Sequence, residues 1–251
     1  MPQRGLSAHT LKIIAIIAMT IDHIAWAFVD ACSAAGILMH LVGRLTAPIM
    51  CFFIAEGYAH TRNANRYALR LLVFALISWF PFIFFEAGGL PPLALLPQMS
   101  MIYTLFLALA ALIVRNQVKE GFIRVLVIIV ICLLSTMGDW PIFGVLYVLA
   151  FSCGRGSFKK QAFWFSVVSI LMIAFFSLPY FLTLTQPGSG LVFSFSSFMG
   201  RAGMQAGVFL ALPLLYCYNG QKGGGKGGKW LFYIYYPAHL VLLGILQMLL
   251  K

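Results

Sequence analysis

Charged side chains are scarce in this chain. Asp, Glu, Lys and Arg make up 9% of its 251 residues, whereas soluble domains carry about 25%. Hydrophobic residues make up 62%, and the mean hydropathy is +0.95. No stretch is polar enough to form a separate soluble domain. This composition excludes a soluble enzyme and predicts a single integral-membrane domain over residues 1–251.

The sequence also lacks the usual metal-binding and redox motifs. Its five cysteines show no C-x-x-C spacing, and most lie in apolar runs, so we expect packing residues rather than disulfides or metal ligands. No H-x-x-x-H or H-E-x-x-H spacing occurs, which argues against metal catalysis. The alternating segments of about 10 residues that build membrane β-barrels are missing as well.

Long apolar segments predict an all-α, polytopic transmembrane helical bundle with about nine spans. The segments cover residues 11–29, 37–59, 70–86, 99–114, 123–137, 140–153, 162–183, 203–218 and 230–249. A span takes about 20 residues, and the fifth and sixth segments are shorter, so they form either two thin spans or one re-entrant pair. Asp22 and His23 would break the apolar core of a signal peptide, so we expect the first segment to be a retained helix.

Lysine and arginine fall in clusters on alternate sides of these segments. The clusters are Arg4/Lys12, Arg62/Arg66/Arg70, Arg115/Lys119/Arg124, Arg155/Lys159/Lys160 and Lys222/Lys226/Lys229. The opposite loops hold no lysine or arginine, which predicts a cytoplasmic N-terminus and an outward C-terminus. This placement explains the net charge of +11 by contact with membrane lipids rather than nucleic acid. The Lys-Gly linker at 222–229 is predicted to be flexible and to contact anionic lipid or a phosphorylated cofactor.

Ionisable side chains lie deep in three of the predicted spans. Asp22 and His23 sit about 15 Å along the first helix, His239 about 14 Å along the last, and Arg44 about 10 Å below the outer face. A charge at membrane depth costs about 2.5–3.5 kcal/mol on insertion scales, and such groups usually line a pathway or a reaction site. We therefore predict that these four side chains share a lipid-shielded chamber.

This set of side chains allows acyl transfer. A histidine can take a proton from an attacking amine or hydroxyl, a carboxylate can orient that histidine, and a buried arginine can stabilise an oxyanion. Asp22 and His23 are neighbours that point about 100° apart on a helix, so Asp22 is expected to serve Arg44 or another helix.

Each of these residues also has a purely structural interpretation. Asp22 and Arg44 could neutralise each other, and His23 could pack helices together. His239 could satisfy the backbone carbonyl that Pro237 frees.

Three further residues receive structural interpretations. Glu56 could pair with one of the arginines that follow it in the sequence, Arg62 or Arg66. His9 and His40 lie near helix ends, and we expect both to be incidental.

Several motifs together carry a resemblance to a known family. They are Ile21-Asp22-His23-Ile24, Gly43-Arg44-Leu45-Thr46-Ala47-Pro48, Glu56-Gly57-Tyr58, His60-Thr61-Arg62-Asn63, Arg70-Leu71-Leu72, Gly144-Val145-Leu146, Tyr218-Asn219-Gly220 and Tyr235-Tyr236-Pro237-Ala238-His239. The pattern resembles the TraX family of conjugal transfer proteins over most of the chain, with a looser similarity to multi-span acyltransferases of surface sugars. The resemblance implies an inner-membrane enzyme that acetylates the N-terminus of a pilin subunit, with acetyl-CoA as co-substrate.

With this resemblance, the deep residues become candidate catalytic residues, namely His23, Asp22, Arg44 and His239. Coenzyme A is expected at the basic inner face, where arginines suit phosphate recognition. The candidate cofactor-binding residues there are Glu56, His60, Arg62, Arg66 and Arg70.

Two other functions compete with this prediction. The first is a proton-coupled small-molecule transporter, because intramembrane Asp, His and Arg also build proton relays. The second is a non-catalytic assembly protein for a pilus or a secretion complex.

Overall fold

The apolar segments fold into helices. A computed structural model gives the positions of residues 5–186, 192–224 and 230–250. The α-helices are α1 (Ala8–Phe28), α2 (Ala34–Gly43), α3 (Thr46–His60), α4 (Ala64–Ala87), α5 (Met101–Gln117), α6 (Gly121–Leu134), α7 (Phe143–Cys153), α8 (Phe158–Thr185), α9 (Phe195–Arg201), α10 (Ala211–Tyr216) and α11 (Leu231–Leu250). Three 3-10 helices cover Leu93–Leu95, Ser135–Met137 and Gly203–Leu210. No strand occurs in the described residues, which confirms the all-α prediction for them. Residues 225–229 of the predicted Lys-Gly linker lie outside this range.

Five stretches of helix are long and apolar enough to cross a membrane. They are Ala8–Phe28, Ala34–His60, Ala64–Ala87, Phe158–Thr185 and Leu231–Leu250. Phe195–Arg201 and Gly203–Tyr216 are bent by 60° and make a sixth if they count as one span. The described chain is therefore a helical membrane protein with five or six candidate spans.

Three of the predicted spans are shorter helices. They correspond to Met101–Gln117, Gly121–Met137 and Phe143–Cys153. The 11 residues of α7 extend about 16 Å, whereas the hydrocarbon core is about 30 Å thick. Residues 123–153 can form either two thin spans or one re-entrant pair with helices of these lengths. The nine spans and the cytoplasmic N-terminus accordingly stay predictions.

Contacts group the described residues into two compact units. The first unit holds the residues up to Ile49 and those between Phe165 and Gly223, and the second holds Met50–Trp164 and the residues after Gly223. The boundaries fall inside α3 and α8. The single domain predicted for residues 1–251 stays a prediction.

In the first unit, α2 is the element that positions the site. It packs against α1, α9 and the 3-10 helix Gly203–Leu210. Two glycines allow this close packing, since a Cβ on Gly207 would meet the backbone of Leu41 and a Cβ on Gly43 would meet the side chain of Asp22. The Asp22 side chain on α1 can therefore approach α2 closely.

In the second unit, α5 packs against α4, α6 and α7, while α4 packs against α11. The Asn63 side chain caps α4 by accepting a hydrogen bond from the Arg66 N–H at 2.8 Å. The buried Tyr236 hydroxyl accepts a hydrogen bond from the Met101 N–H at 3.2 Å. This bond ties α11 to the beginning of α5.

Candidate functional site

Three polar side chains meet between α1 and α2. Asp22 Oδ2 accepts a hydrogen bond from Arg44 Nη2 at 2.7 Å, and Asp22 Oδ1 lies 2.8 Å from His40 Nδ1. The side chains of Asp22, Arg44 and His40 are 14%, 10% and 0% exposed. We name these three residues the Asp22 group. The predicted pairing of Asp22 with Arg44 is confirmed.

The spacing of residues on α2 explains this arrangement. His40 and Arg44 lie four residues apart, on one face of the helix, so each can reach one oxygen of the same carboxylate. The Ser33 hydroxyl caps the beginning of α2. Gly43 lacks a Cβ at the point that faces Asp22. The local sequence of α2 thus permits the contact that its tertiary packing against α1 completes.

The charges of the Asp22 group balance. The Asp22 carboxylate and the Arg44 guanidinium neutralise each other, and removing either partner of a buried pair costs about 3–5 kcal/mol. An ionised carboxylate only accepts hydrogen bonds, so His40 Nδ1 carries a proton and donates it. A neutral His40 then has its lone pair on Nε2.

His40 Nε2 is buried and has no hydrogen-bond partner among the described residues. A buried polar atom without a partner costs about 1–3 kcal/mol. The His40 ring packs against Trp26, with ring centroids 4.3 Å apart, and Trp26 is 48% exposed. The lone pair on His40 Nε2 therefore accepts no hydrogen bond from a described residue.

The interpretation of His40 as incidental is wrong. The residue does lie in the last turn of α2, but it is fully buried and contacts the Asp22 carboxylate. The sequence held one signal for this role, the four-residue spacing of His40 and Arg44. That signal was incomplete, because it does not say which acidic residue faces the helix.

His23 makes a different contact from its neighbour Asp22. Its Nδ1 lies 2.9 Å from the carbonyl oxygen of Met19, one turn earlier on α1. A carbonyl only accepts, so Nδ1 donates. The different partners agree with the angle of about 100° expected between adjacent helical residues.

His239 belongs to the second unit and is 5% exposed. Its Nδ1 lies 2.9 Å from the Tyr235 carbonyl oxygen, and its ring stacks on the Tyr235 ring at 5.1 Å. Pro237 has no N–H, so it leaves the carbonyl of Tyr233 without its helical donor. His239 therefore contacts the Tyr235 carbonyl and not the Tyr233 carbonyl that Pro237 frees. The chamber predicted to join His239 to Asp22 stays a prediction.

The candidate cofactor-binding residues all lie in the second unit. Glu56 Oε1 accepts a hydrogen bond from Arg155 Nε at 3.3 Å, and Glu56 Oε2 lies 3.7 Å from His60 Nδ1. The expected pairing of Glu56 with Arg62 or Arg66 is therefore replaced by a contact with an arginine distant in sequence.

Two of the predicted arginines, Arg62 and Arg66, are exposed. Arg70 is half-buried and lies over the ring of Tyr67 at 5.1 Å and over the ring of Tyr233 at 5.7 Å. Its Nε also donates a hydrogen bond to the Tyr233 hydroxyl at 3.4 Å. Exposed guanidinium groups beside an aromatic-held one could bind a phosphorylated ligand.

The Asp22 group has the parts of a proton-transfer site. A buried imidazole with a lone pair on Nε2 can accept a proton, and a carboxylate on Nδ1 stabilises the imidazolium that forms. Arg44 adds a positive charge that favours a developing negative charge nearby. Both acyl transfer and proton relay use such parts.

Comparisons with known proteins place the chain in one family. The family model described as TraX protein matches residues 7–247. A relative from Dichelobacter nodosus, named "Probable fimbrial assembly protein FimC, serogroup H1", is 32% identical over 253 residues, which cover 98% of this chain and 97% of the relative. No solved protein structure matches the chain. The chain therefore belongs to the TraX family.

Proposed function

We propose that the chain is a membrane-embedded acetyltransferase of the bacterial inner membrane. It uses cytoplasmic acetyl-CoA and acetylates an acceptor at the outer side, which by family resemblance is the N-terminal amine of a pilin subunit or a related surface substrate. The name of the Dichelobacter relative, a fimbrial assembly protein, supports the connection with pili. The observation that carries the proposal is the buried Asp22 group in a member of the TraX family.

The proposed roles follow from the charges of the site. Arg44 stabilises the oxyanion that develops on the acetyl carbonyl, and Asp22 keeps that guanidinium neutralised in the resting state. A histidine accepts the proton of the acceptor amine, and the sequence offered His23 and His239 for this role. Both donate through Nδ1 to a backbone carbonyl, so each neutral ring has its lone pair on Nε2.

The basic residues of the second unit suit the co-substrate. Acetyl-CoA carries phosphates and is too polar to cross the bilayer, so it must bind from the cytoplasm. Arg62 and Arg66 are exposed and are free to contact phosphates, while Arg70 is held between two tyrosine rings. Glu56 and His60 lie beside these arginines in the sequence and complete the proposed binding face.

Two other functions are consistent with some of the same observations. A proton-coupled transporter is favoured by the buried Asp22 group, because such groups also relay protons. A non-catalytic assembly protein is favoured by the name of the Dichelobacter relative. Both predict that no acetyl group is transferred.

The first experiment compares intact masses of the pilin from strains with and without this protein. Acetylation adds about 42 Da and removes the N-terminal charge, so we expect that difference. The second experiment incubates the purified protein in proteoliposomes with radiolabelled acetyl-CoA and a synthetic peptide that carries the mature N-terminus of the same pilin. Labelled peptide supports the enzyme; equal pilin masses together with unlabelled peptide would sink the proposal.

A further inference from the structure

We infer that His40 is the catalytic base of the transfer and that its Nε2 receives the proton of the acceptor's primary amine. This inference rests on the proposed acetyl transfer and names the residue that takes the proton. It also assigns a ligand class, a primary amine, to His40 Nε2.

The first argument is the carboxylate contact. Among the three histidines discussed above, His40 has an Asp22 oxygen 2.8 Å from its Nδ1, whereas the Nδ1 atoms of His23 and His239 lie against backbone carbonyls. A carboxylate stabilises the imidazolium that forms on proton uptake far better than a neutral carbonyl does. His40 is therefore the ring of these three whose Nδ1 faces a carboxylate oxygen.

The second argument is the state of Nε2. This atom is buried and has no hydrogen-bond partner among the residues that the structure describes. Native proteins rarely leave such an atom unpaired, and the exceptions call for a ligand, an ion or a water molecule. A primary amine supplies the N–H donor that fits the lone pair on Nε2.

The third argument is the backbone beside His40. The 3-10 helix Gly203–Leu210 is eight residues long, whereas such helices seldom exceed about 3–4 residues. It packs on α2 next to His40, where Gly207 approaches Leu41. Irregular backbone at membrane depth persists where it is buried in protein or lines a cavity. The backbone on this side of α2 is therefore buried in protein rather than exposed to lipid.

The proposed acetyl transfer balances in atoms, protons and electrons. The amine nitrogen forms a bond to the acetyl carbon while the carbon–sulfur bond of the thioester breaks, and the electron pair of that bond leaves with the thiolate. One N–H proton passes to His40 Nε2. His40 then returns it to the thiolate, so the products are the acetylated amine and free coenzyme A.

His40→Asn separates a catalytic role from a structural one. The asparagine amide can keep the N–H donor that faces Asp22, but it has no basic atom in place of Nε2. We expect kcat to fall at least about 100-fold with an unchanged KM for acetyl-CoA, measured with the labelled peptide in proteoliposomes. A smaller loss of kcat would overturn the inference, because a histidine that only neutralises Asp22 would be rescued by asparagine.

The controls keep this result distinct from a failure of the proposed function. His9→Asn makes the same change at the beginning of α1 and should retain wild-type kcat. An inactive wild-type protein would contradict the acetyltransferase itself, whereas an active wild type with an active His40→Asn variant contradicts the base alone.

A measurement on the wild-type protein covers the case in which His40→Asn does not fold. Nitrogen-15 NMR of labelled histidine rings distinguishes the two tautomers. Samples of His9→Asn, His23→Asn, His60→Asn and His239→Asn each remove one signal, so the His40 signal is assigned as the one that remains in all four. We expect His40 to carry its proton on Nδ1 and to leave Nε2 unprotonated. The opposite tautomer would overturn the inference.

Discussion

Asp22 uses its two carboxylate oxygens for two different residues, Arg44 and His40. The arginine neutralises the charge of the carboxylate, and the histidine receives a fixed tautomer from it. The cost of burying a carboxylate is offset only while both contacts persist. Single substitutions in the Asp22 group should therefore affect stability as well as activity.

Asp22→Asn tests the charge balance. It leaves the Arg44 guanidinium buried without its counter-charge, which we expect to cost about 3–5 kcal/mol of stability and to lower the melting temperature of the detergent-solubilised protein. Asp30→Asn is the matched control, because Asp30 is exposed and an asparagine oxygen can still accept from the Cys32 N–H as Asp30 Oδ1 does at 3.0 Å. Equal melting temperatures for the two variants would refute this account of Asp22.

Gly43→Ala tests the close approach of α1 and α2. The added Cβ would collide with the Asp22 side chain, and overpacking of this kind costs about 1–3 kcal/mol. Gly121→Ala is the control, since the nearest atom to its Cβ is Arg124 Nη2 at 4.0 Å. We expect a lower melting temperature for Gly43→Ala alone; an unchanged value would show that the helices separate without cost.

The lengths of α6 and α7 bear on whether residues 123–153 form two thin spans or one re-entrant pair. α6 and α7 contain 14 and 11 residues, fewer than the ~20 that a perpendicular span needs. Asp139 lies between these two helices and is exposed. Its position relative to the bilayer distinguishes two thin spans from a re-entrant pair.

Cysteine labelling resolves this point. In a background where the five cysteines are replaced by alanine, Asp139→Cys should react with a membrane-impermeant maleimide from the outer side of intact cells. Lys119→Cys and Lys159→Cys should react only after permeabilisation, because both lie in basic clusters predicted to be cytoplasmic. Absence of outside labelling at position 139 would favour the re-entrant pair.

At the scale of the whole molecule, the excess of basic over acidic residues affects the topology of the chain more than any single ion pair does. Lysine and arginine number 17, against 6 acidic residues, and most of the basic residues lie in the predicted cytoplasmic loops. The same excess can orient the protein and attract a phosphorylated co-substrate. A functional test must therefore compare basic residues of the same predicted side.

The double variant Arg62→Gln/Arg66→Gln provides this comparison. Loss of charge-assisted contacts to phosphate should raise the KM for acetyl-CoA at least about tenfold and leave kcat nearly unchanged. Lys159→Gln/Lys160→Gln removes two exposed charges of the same unit and should leave KM unaltered. Similar KM increases in both double variants would indicate a general effect of charge rather than a binding site.

The sequence by itself determined the helical membrane class, the approximate bounds of the apolar segments and the membership of a family. These properties are local, because hydropathy, charge placement and motifs are carried by residues close together in the chain. It also offered the Asp22–Arg44 pair as one interpretation, because two opposite charges in apolar segments lower their free energy by pairing.

Only the tertiary structure revealed His40 as the second partner of Asp22 and Arg155 as the partner of Glu56. Both contacts depend on how one helix is rotated and shifted against another. Those parameters are set by shape, as at Gly43, where a missing Cβ lets a carboxylate approach α2. Hydropathy and spacing constrain which side chains are buried, whereas packing decides which of them touch.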